Sequence, residues 1–149
     1  MKIAILAAHD PTTGQYGFAQ RVLSGIGPDA LPGGTVILEY GGTLLKTLEA
    51  AAGFDGMILI DGASMGMSPG GVRVFGLNDL ILPGSPPRVK FDSVDVEGDI
   101  LYANKFLSLP PVRIIGIESG EAGAGETGAG IAGPLLDAIR QAVCELTQK

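Results

Sequence analysis

The chain has one cysteine, one histidine and few basic side chains. A lone thiol cannot close an internal disulfide, so the fold must stand on its core, and a reducing, cytoplasmic setting is expected. The 10 Lys and Arg residues face 16 Asp and Glu, a net charge of −6. Nucleic acid is held largely by Lys and Arg clusters on phosphates, so that class of partner is disfavoured, as is an anionic membrane. Long apolar runs are missing too. A bilayer helix needs roughly 20 consecutive apolar residues, which no stretch approaches. Nothing at the start reads as a secretion signal, because Lys2 is followed by only six apolar residues before His9 and Asp10.

What is present points to a folded domain. Hydrophobic residues make up 46% of 149, enough to exclude wholesale disorder and to build one core, so residues 1–149 are expected to be a single domain. Glycine is abundant: 24 residues, more than twice the usual share of ~7%. Much of the chain therefore turns tightly or passes close to something.

Short, nearly continuous apolar runs recur at Ile3–Ala8, Thr35–Leu38, Met57–Ile60 and Val112–Ile117. They are too short for buried helices and lack polar alternation, which predicts strands covered on both faces. Amphipathic stretches lie between them. Phe18, Val22 and Leu23 share a face over 15–24, and Leu44, Leu45, Leu48 and Ala52 share one over 42–52. Ser93 caps a third helix with Ile100, Leu101, Ala103, Phe106 and Leu107 at core spacing. Pro134 opens a last helix whose stripe is Leu135, Leu136, Ile139, Val143 and Leu146. Val72, Val74 and Phe75 read as a further strand, and Leu80–Leu82 as another short one. Strands alternating with helices predict a three-layer α/β fold, doubly wound around a mostly parallel sheet. Ligands in such sheets sit at the carboxyl ends of strands, so the loops at 9–14, 41–43, 61–70 and 118–130 hold the candidates.

Two familiar patterns fail on context. Gly123, Gly125 and Gly128 spell G-x-G-x-x-G, but Glu121 and Glu126 would set negative charge against a pyrophosphate, and no later strand carries a ribose-binding acid. Gly62, Ser64 and Gly66 spell G-x-S-x-G, but 67–71 (MSPGG) forbids the helix a nucleophile elbow needs, and the only histidine precedes the serine. Cys144 reads as a small core or boundary residue.

Asp61 is the most informative residue. It follows an apolar strand, where a carboxylate either caps the next turn or serves a site at the sheet edge. His9 and Asp10 end the first strand, so these three side chains meet if the two strands are neighbours. One imidazole and two carboxylates could bind a divalent metal. His9 could equally be bonded to loop backbone.

These residues carry a resemblance across nearly the whole chain. Leu38–Thr43 (LEYGGT) is similar to a "D-G-G-T" strand end, Met57–Ala63 (MILIDGA) to "I-I-V-D-A", and Met65–Phe75 (MGMSPGGVRVF) to "G-x-x-P-G-T-V-R-R-F". Gly17–Val22 (GFAQRV) looks like the tail of "D-D-G-F-G-P-R-V", and Arg113–Glu118 (RIIGIE) like a last strand. Together they resemble the hydrogenase maturation proteases, endopeptidases of flavodoxin-like fold that trim a carboxy-terminal extension from the large subunit of nickel–iron hydrogenase. The resemblance implies a protein partner of that kind, no permanent cofactor, and nickel as a divalent metal presented by the substrate.

It also implies a site, and here the sequence departs. The family senses nickel with an acid at the first helix, an acid after the third strand and a histidine before a later helix. Only the second is kept, as Asp61. The first falls at Tyr16, beside Gln15, and the histidine should fall in 92–95 (DSVD), which has none. Either the site is rebuilt from His9, Asp10 and Asp61, with Asp92 or Asp95, or it is lost. Tyrosine is a poor ligand for a divalent ion, so the ligand count favours loss. On the resemblance, Asp61 is the candidate catalytic residue, Asp61, His9 and Asp10 the candidate metal ligands, and Gly41, Gly42, Thr43, Gly62 and Ser64 the candidate substrate contacts. Three expectations follow: a protein that recognises the carboxy-terminal region of a large subunit, cleaving it or only docking on it; a non-catalytic binding or chaperone-like module of the same fold; and, third, a metal-dependent small-molecule hydrolase.

Overall fold

The computed structural model describes residues 1–8, 18–38, 44–68, 70–79, 90–91, 96–118 and 130–148. In chain order they form β1 (Ile3–Ala7), α1 (Phe18–Ser24), β2 (Thr35–Ile37), α2 (Leu44–Ala50), β3 (Gly56–Ser64), β4 (Val72–Gly76), β5 (Lys90–Phe91), α3 (Val96–Phe106), β6 (Val112–Glu118) and α4 (Ala132–Thr147). Single 3-10 turns stand at Pro28–Ala30, Ala51–Gly53 and Leu77–Asp79.

The strands form one sheet in the order β2-β1-β3-β6-β4, with β5 added beside β3. β2, β1, β3 and β6 run parallel, while β4 is antiparallel to β6 and β5 to β3. The expected three-layer, mostly parallel architecture is thus present. Its apolar strands serve two cores. Ile3, Ile5, Ile58, Ile60, Ile115 and Ile117 face α1 and α4, whereas Ala4, Leu6, Met57, Leu59, Val112 and Ile114 face α2 and α3. Strand side chains alternate between faces, so a strand buried on both sides is apolar along almost its whole length.

Four expectations change. The run at Thr35–Leu38 is not covered on both faces: β2 is the outermost strand, and Val36 and Ile37 are 41% and 42% exposed. On α3, Ile100 and Ala103 are buried, but Phe106 is 63% exposed. At ~100° per residue Phe106 lies about 120° round the helix from Ile100, where it stacks on Tyr102 with ring centroids 4.9 Å apart. Cys144 is exposed rather than in or at the core, because the inward stripe of α4 passes through Leu135, Ala138, Ile139, Ala142 and Leu146. The third strand does not end at Ile60 but runs to Ser64. The expected strand at Leu80–Leu82 and the cap at Ser93 lie outside the described residues. Among the described residues, no helix is long and apolar enough to cross a membrane.

Candidate functional site

The winding direction reverses between β1 and β3. From β1 the chain passes outward to β2 by way of α1 on one face, then returns past β1 to β3 by way of α2 on the other. The chain therefore leaves β1 toward β2 and β3 toward β4, in opposite directions across the sheet, and such a switch point is where open α/β sheets bind ligands. The two strand ends are neighbours, as expected: Ala7 pairs with Ile60, and the Ala8 amide donates to the Ile60 carbonyl at 2.8 Å.

Asp61 is the next residue. It was expected at a strand end, yet it lies three residues inside β3 and is 2% exposed. Partner strands explain the difference. β6 pairs with β3 as far as Ala63, and β5 takes up the edge that β1 leaves, pairing at Ala63 and Ser64. Asp61 and Gly62 thus occupy the step where that edge changes partner from β1 to β5. Asp61 alternates with Leu59 and Ala63, which places its side chain on the α2 and α3 face. A carboxylate buried this deeply in an apolar strand is costly unless partnered, and Asp61 does have an interaction partner.

Of the other expected site residues, Gly62 is buried within β3 opposite Ile117. Ser64 is exposed at the last position of β3, opposite Lys90. No elbow forms there, since the chain goes on to β4 rather than to a helix. His9, Asp10, Gly41, Gly42 and Thr43 lie outside the described residues, as do Tyr16, Asp92, Asp95 and the glycine-rich stretch 119–129.

The structure brings forward one residue to which sequence reasoning gave no role. Glu118, the last residue of β6, is 5% exposed and sits opposite Ala63, on the same sheet face as Asp61. Its position follows from the topology. β6 lies between β3 and β4, so the connection from β3 to β4 must arch over the end of β6. Glu118 ties that arch down on both sides. Its Oε1 accepts from the amides of Met65 and Met67, each at 2.8 Å. Its own amide donates to the Gly71 carbonyl at 2.7 Å, and its carbonyl accepts from the Gly70 amide at 2.8 Å. The arch turns through Gly66 and Gly70 at φ +77° and +89°, a region other residues rarely adopt. The signal was available in sequence: an acid following an apolar strand run, the pattern that singles out Asp61.

A concavity of about 620 Å³ lies at the opposite end of the sheet, lined by Leu77, Asp79, Asn104, Pro111, Arg113 and Glu145 among others. Its Arg113 and Glu145 are engaged with each other at 2.9 Å. The switch point, with both buried carboxylates on one sheet face, is the better candidate.

No family model and no curated protein sequence matches the chain. Solved structures do. The [NiFe] hydrogenase maturation protease HybD from Thermococcus kodakarensis superposes with a TM-score of 0.57 at 17% identity, over 99% of this chain and 100% of that one. The hydrogenase maturating endopeptidase HybD from E. coli gives 0.53 at 17% identity, over 98% and 92%. The chain has the fold of the hydrogenase maturation proteases. A third such structure, the hydrogenase 2 maturation peptidase from Thaumarchaeota archaeon SCGC_AB-539-E09, gives 0.55 at 17% identity over 96% and 98%. The likeness thus spans the whole fold rather than one motif. At this identity it is a likeness of architecture, and the chemistry must be argued from the side chains.

Proposed function

We propose that this protein recognises the carboxy-terminal region of a nickel–iron hydrogenase large subunit, or of a similar metalloprotein precursor, and docks on it without cutting it. The observation that carries the reading is Asp61: in a chain of maturation-protease fold, a buried carboxylate stands at the switch point between β1 and β3. Asp61 would be the group that meets a metal presented by the substrate. Nickel is then part of the substrate, and no resident cofactor is needed.

Docking is favoured over cleavage by the donor set. Two of the three ligand positions that the resemblance implies are changed in the sequence, with Tyr16 in place of an acid and no histidine in 92–95 (DSVD). Glu118 shares the face of Asp61, but its Oε1 is already committed to two amides. A single carboxylate binds a divalent ion weakly, since ligand number and type set affinity. The net charge of −6 suits a protein partner better than a polyanion.

A second reading is supported by the strand register. The Ala8 amide bonds to Ile60, so His9 and Asp10 follow directly from the strand end beside Asp61. If they supply the missing ligands, cleavage is retained. Incubation of the protein with a nickel-loaded precursor, followed by mass analysis of the precursor's carboxy terminus, separates the two. The expected result is a stable complex with an unchanged mass, weakened by Asp61→Ala. Loss of a carboxy-terminal fragment establishes cleavage, and no complex at all refutes both readings.

A further inference from the structure

We infer that Glu118 is a positioning residue that holds the β3–β4 connection as a preformed ledge for an extended polypeptide beside Asp61. The inference rests on the proposed recognition of a precursor and names how this chain would present its backbone to it.

Residues 64–68 are Ser, Met, Gly, Met and Ser, with no charged group among them. Ser64 is exposed, Met67 is 41% exposed, and the space beside the Gly66 Cα is open. With its Met65 and Met67 amides already donated to a carboxylate, the connection is unsuited to a phosphate or other anion. It suits an extended peptide, whose backbone can approach where no Cβ intervenes and whose apolar side chains find an adaptable partner in methionine.

Such a stretch, rich in glycine and small residues, would be costly to order on binding unless something ordered it beforehand. Glu118 supplies that order. One buried carboxylate oxygen fixes the amides of Met65 and Met67, and the main chain of the same residue fixes Gly70 and Gly71. What the ledge uses is an acceptor oxygen, not a negative charge. Glutamine keeps that oxygen, whereas alanine removes it and leaves two amides without their partner.

The test measures amide exchange at Met65 and Met67 by NMR, and affinity for a nickel-loaded hydrogenase precursor by calorimetry. Wild type, Glu118→Ala, Glu118→Gln and Met67→Ser are compared. In Glu118→Ala the two amides should exchange at least about tenfold faster while Ile58 and Leu59 in β3 keep their protection. Precursor affinity should fall about tenfold in the same variant, and Glu118→Gln should restore both properties to within about threefold of wild type. Met67→Ser, an exposed change that does not depend on Glu118→Ala folding, should weaken the precursor complex and leave the amides protected. Unchanged exchange in Glu118→Ala overturns the clamp. Mobilised amides with undiminished affinity, or a Met67→Ser variant that binds as wild type does, overturn the ledge. If wild type itself ignores the precursor, the proposed function falls and the ledge with it, while the exchange data still decide the clamp.

Discussion

Gly116→Ala probes how tightly the sheet is closed beside Asp61. Gly116 pairs with Asp61 across β3 and β6. A Cβ added there would stand 2.8 Å from the Met65 Sδ, 3.4 Å from its Cε and 3.2 Å from Phe75 Cε2. The thioether can swing away by changing rotamer. The Phe75 ring is 3% exposed and must instead yield by a few tenths of an ångström. Overpacking of this kind costs roughly 1–3 kcal/mol. Against it stands the gain from replacing glycine in a strand, about 0.5–1 kcal/mol. The net expectation is a loss of up to about 2.5 kcal/mol, or a fall in Tm of up to roughly 10 °C at ~2–4 °C per kcal/mol for a chain of this size. Urea unfolding of Gly116→Ala, Phe75→Leu and the double variant separates the contributions. If the Phe75 contact carries the cost, the double variant is more stable than the sum of the single losses, by about 0.5 kcal/mol or more. A Gly116→Ala protein more stable than wild type, or losses that simply add, would refute the packing argument.

Other parts of the molecule give sharp contrasts. Ile100→Ala, at a fully buried position on α3, should cost about 2–5 kcal/mol in urea unfolding. Phe106→Ser on the same helix, at a site 63% exposed, should stay within about 0.5 kcal/mol; equal losses would mean that α3 is rotated from the orientation described. Glu145 accepts from Gln141 at 2.8 Å and from Arg113 at 2.9 Å, and these bonds, Gln141 first, hold its carboxyl below the ordinary value. A lowered folded pKa stabilises the fold above the unfolded value of about 4.3, and that contribution is lost as the pH falls through the folded value. The pair is partly exposed, so screening keeps the effect below about 1 kcal/mol. Glu145→Gln should therefore remove a small part of the acid destabilisation seen in unfolding curves between about pH 6 and pH 3; a variant with the wild-type acid slope contradicts the assignment. Native protein should titrate one thiol with a disulfide reagent, because Cys144 is exposed, and no reaction without denaturant would show it covered.

Much of the architecture was legible in the chain itself. Runs such as Ile3–Ala8 and Val112–Ile117 are apolar at nearly every position, Arg113 being the exception, as suits a strand buried on both faces, and the spacing of Leu135, Ile139 and Leu146 allows one helical face. The same local logic failed at β2, which has apolar residues but an outermost place in the sheet, and at Phe106, whose angle on α3 turns it to solvent. Neither fact resides in the residues nearby. Asp61 could be picked out because a carboxylate beside four apolar strand residues is conspicuous in any order of strands. That it lies within β3, at the step where the strand's edge passes from β1 to β5, depends on which strands become neighbours. Glu118 depends on this most. Its bonds to Met65 and Met67 join residues more than fifty positions apart, and they exist because β6 inserts between β3 and β4. Side-chain periodicity is written locally, so the sequence determined the layers and the buried faces. Strand order is set by the packing of the whole sheet, and only the tertiary structure decided what stands beside Asp61.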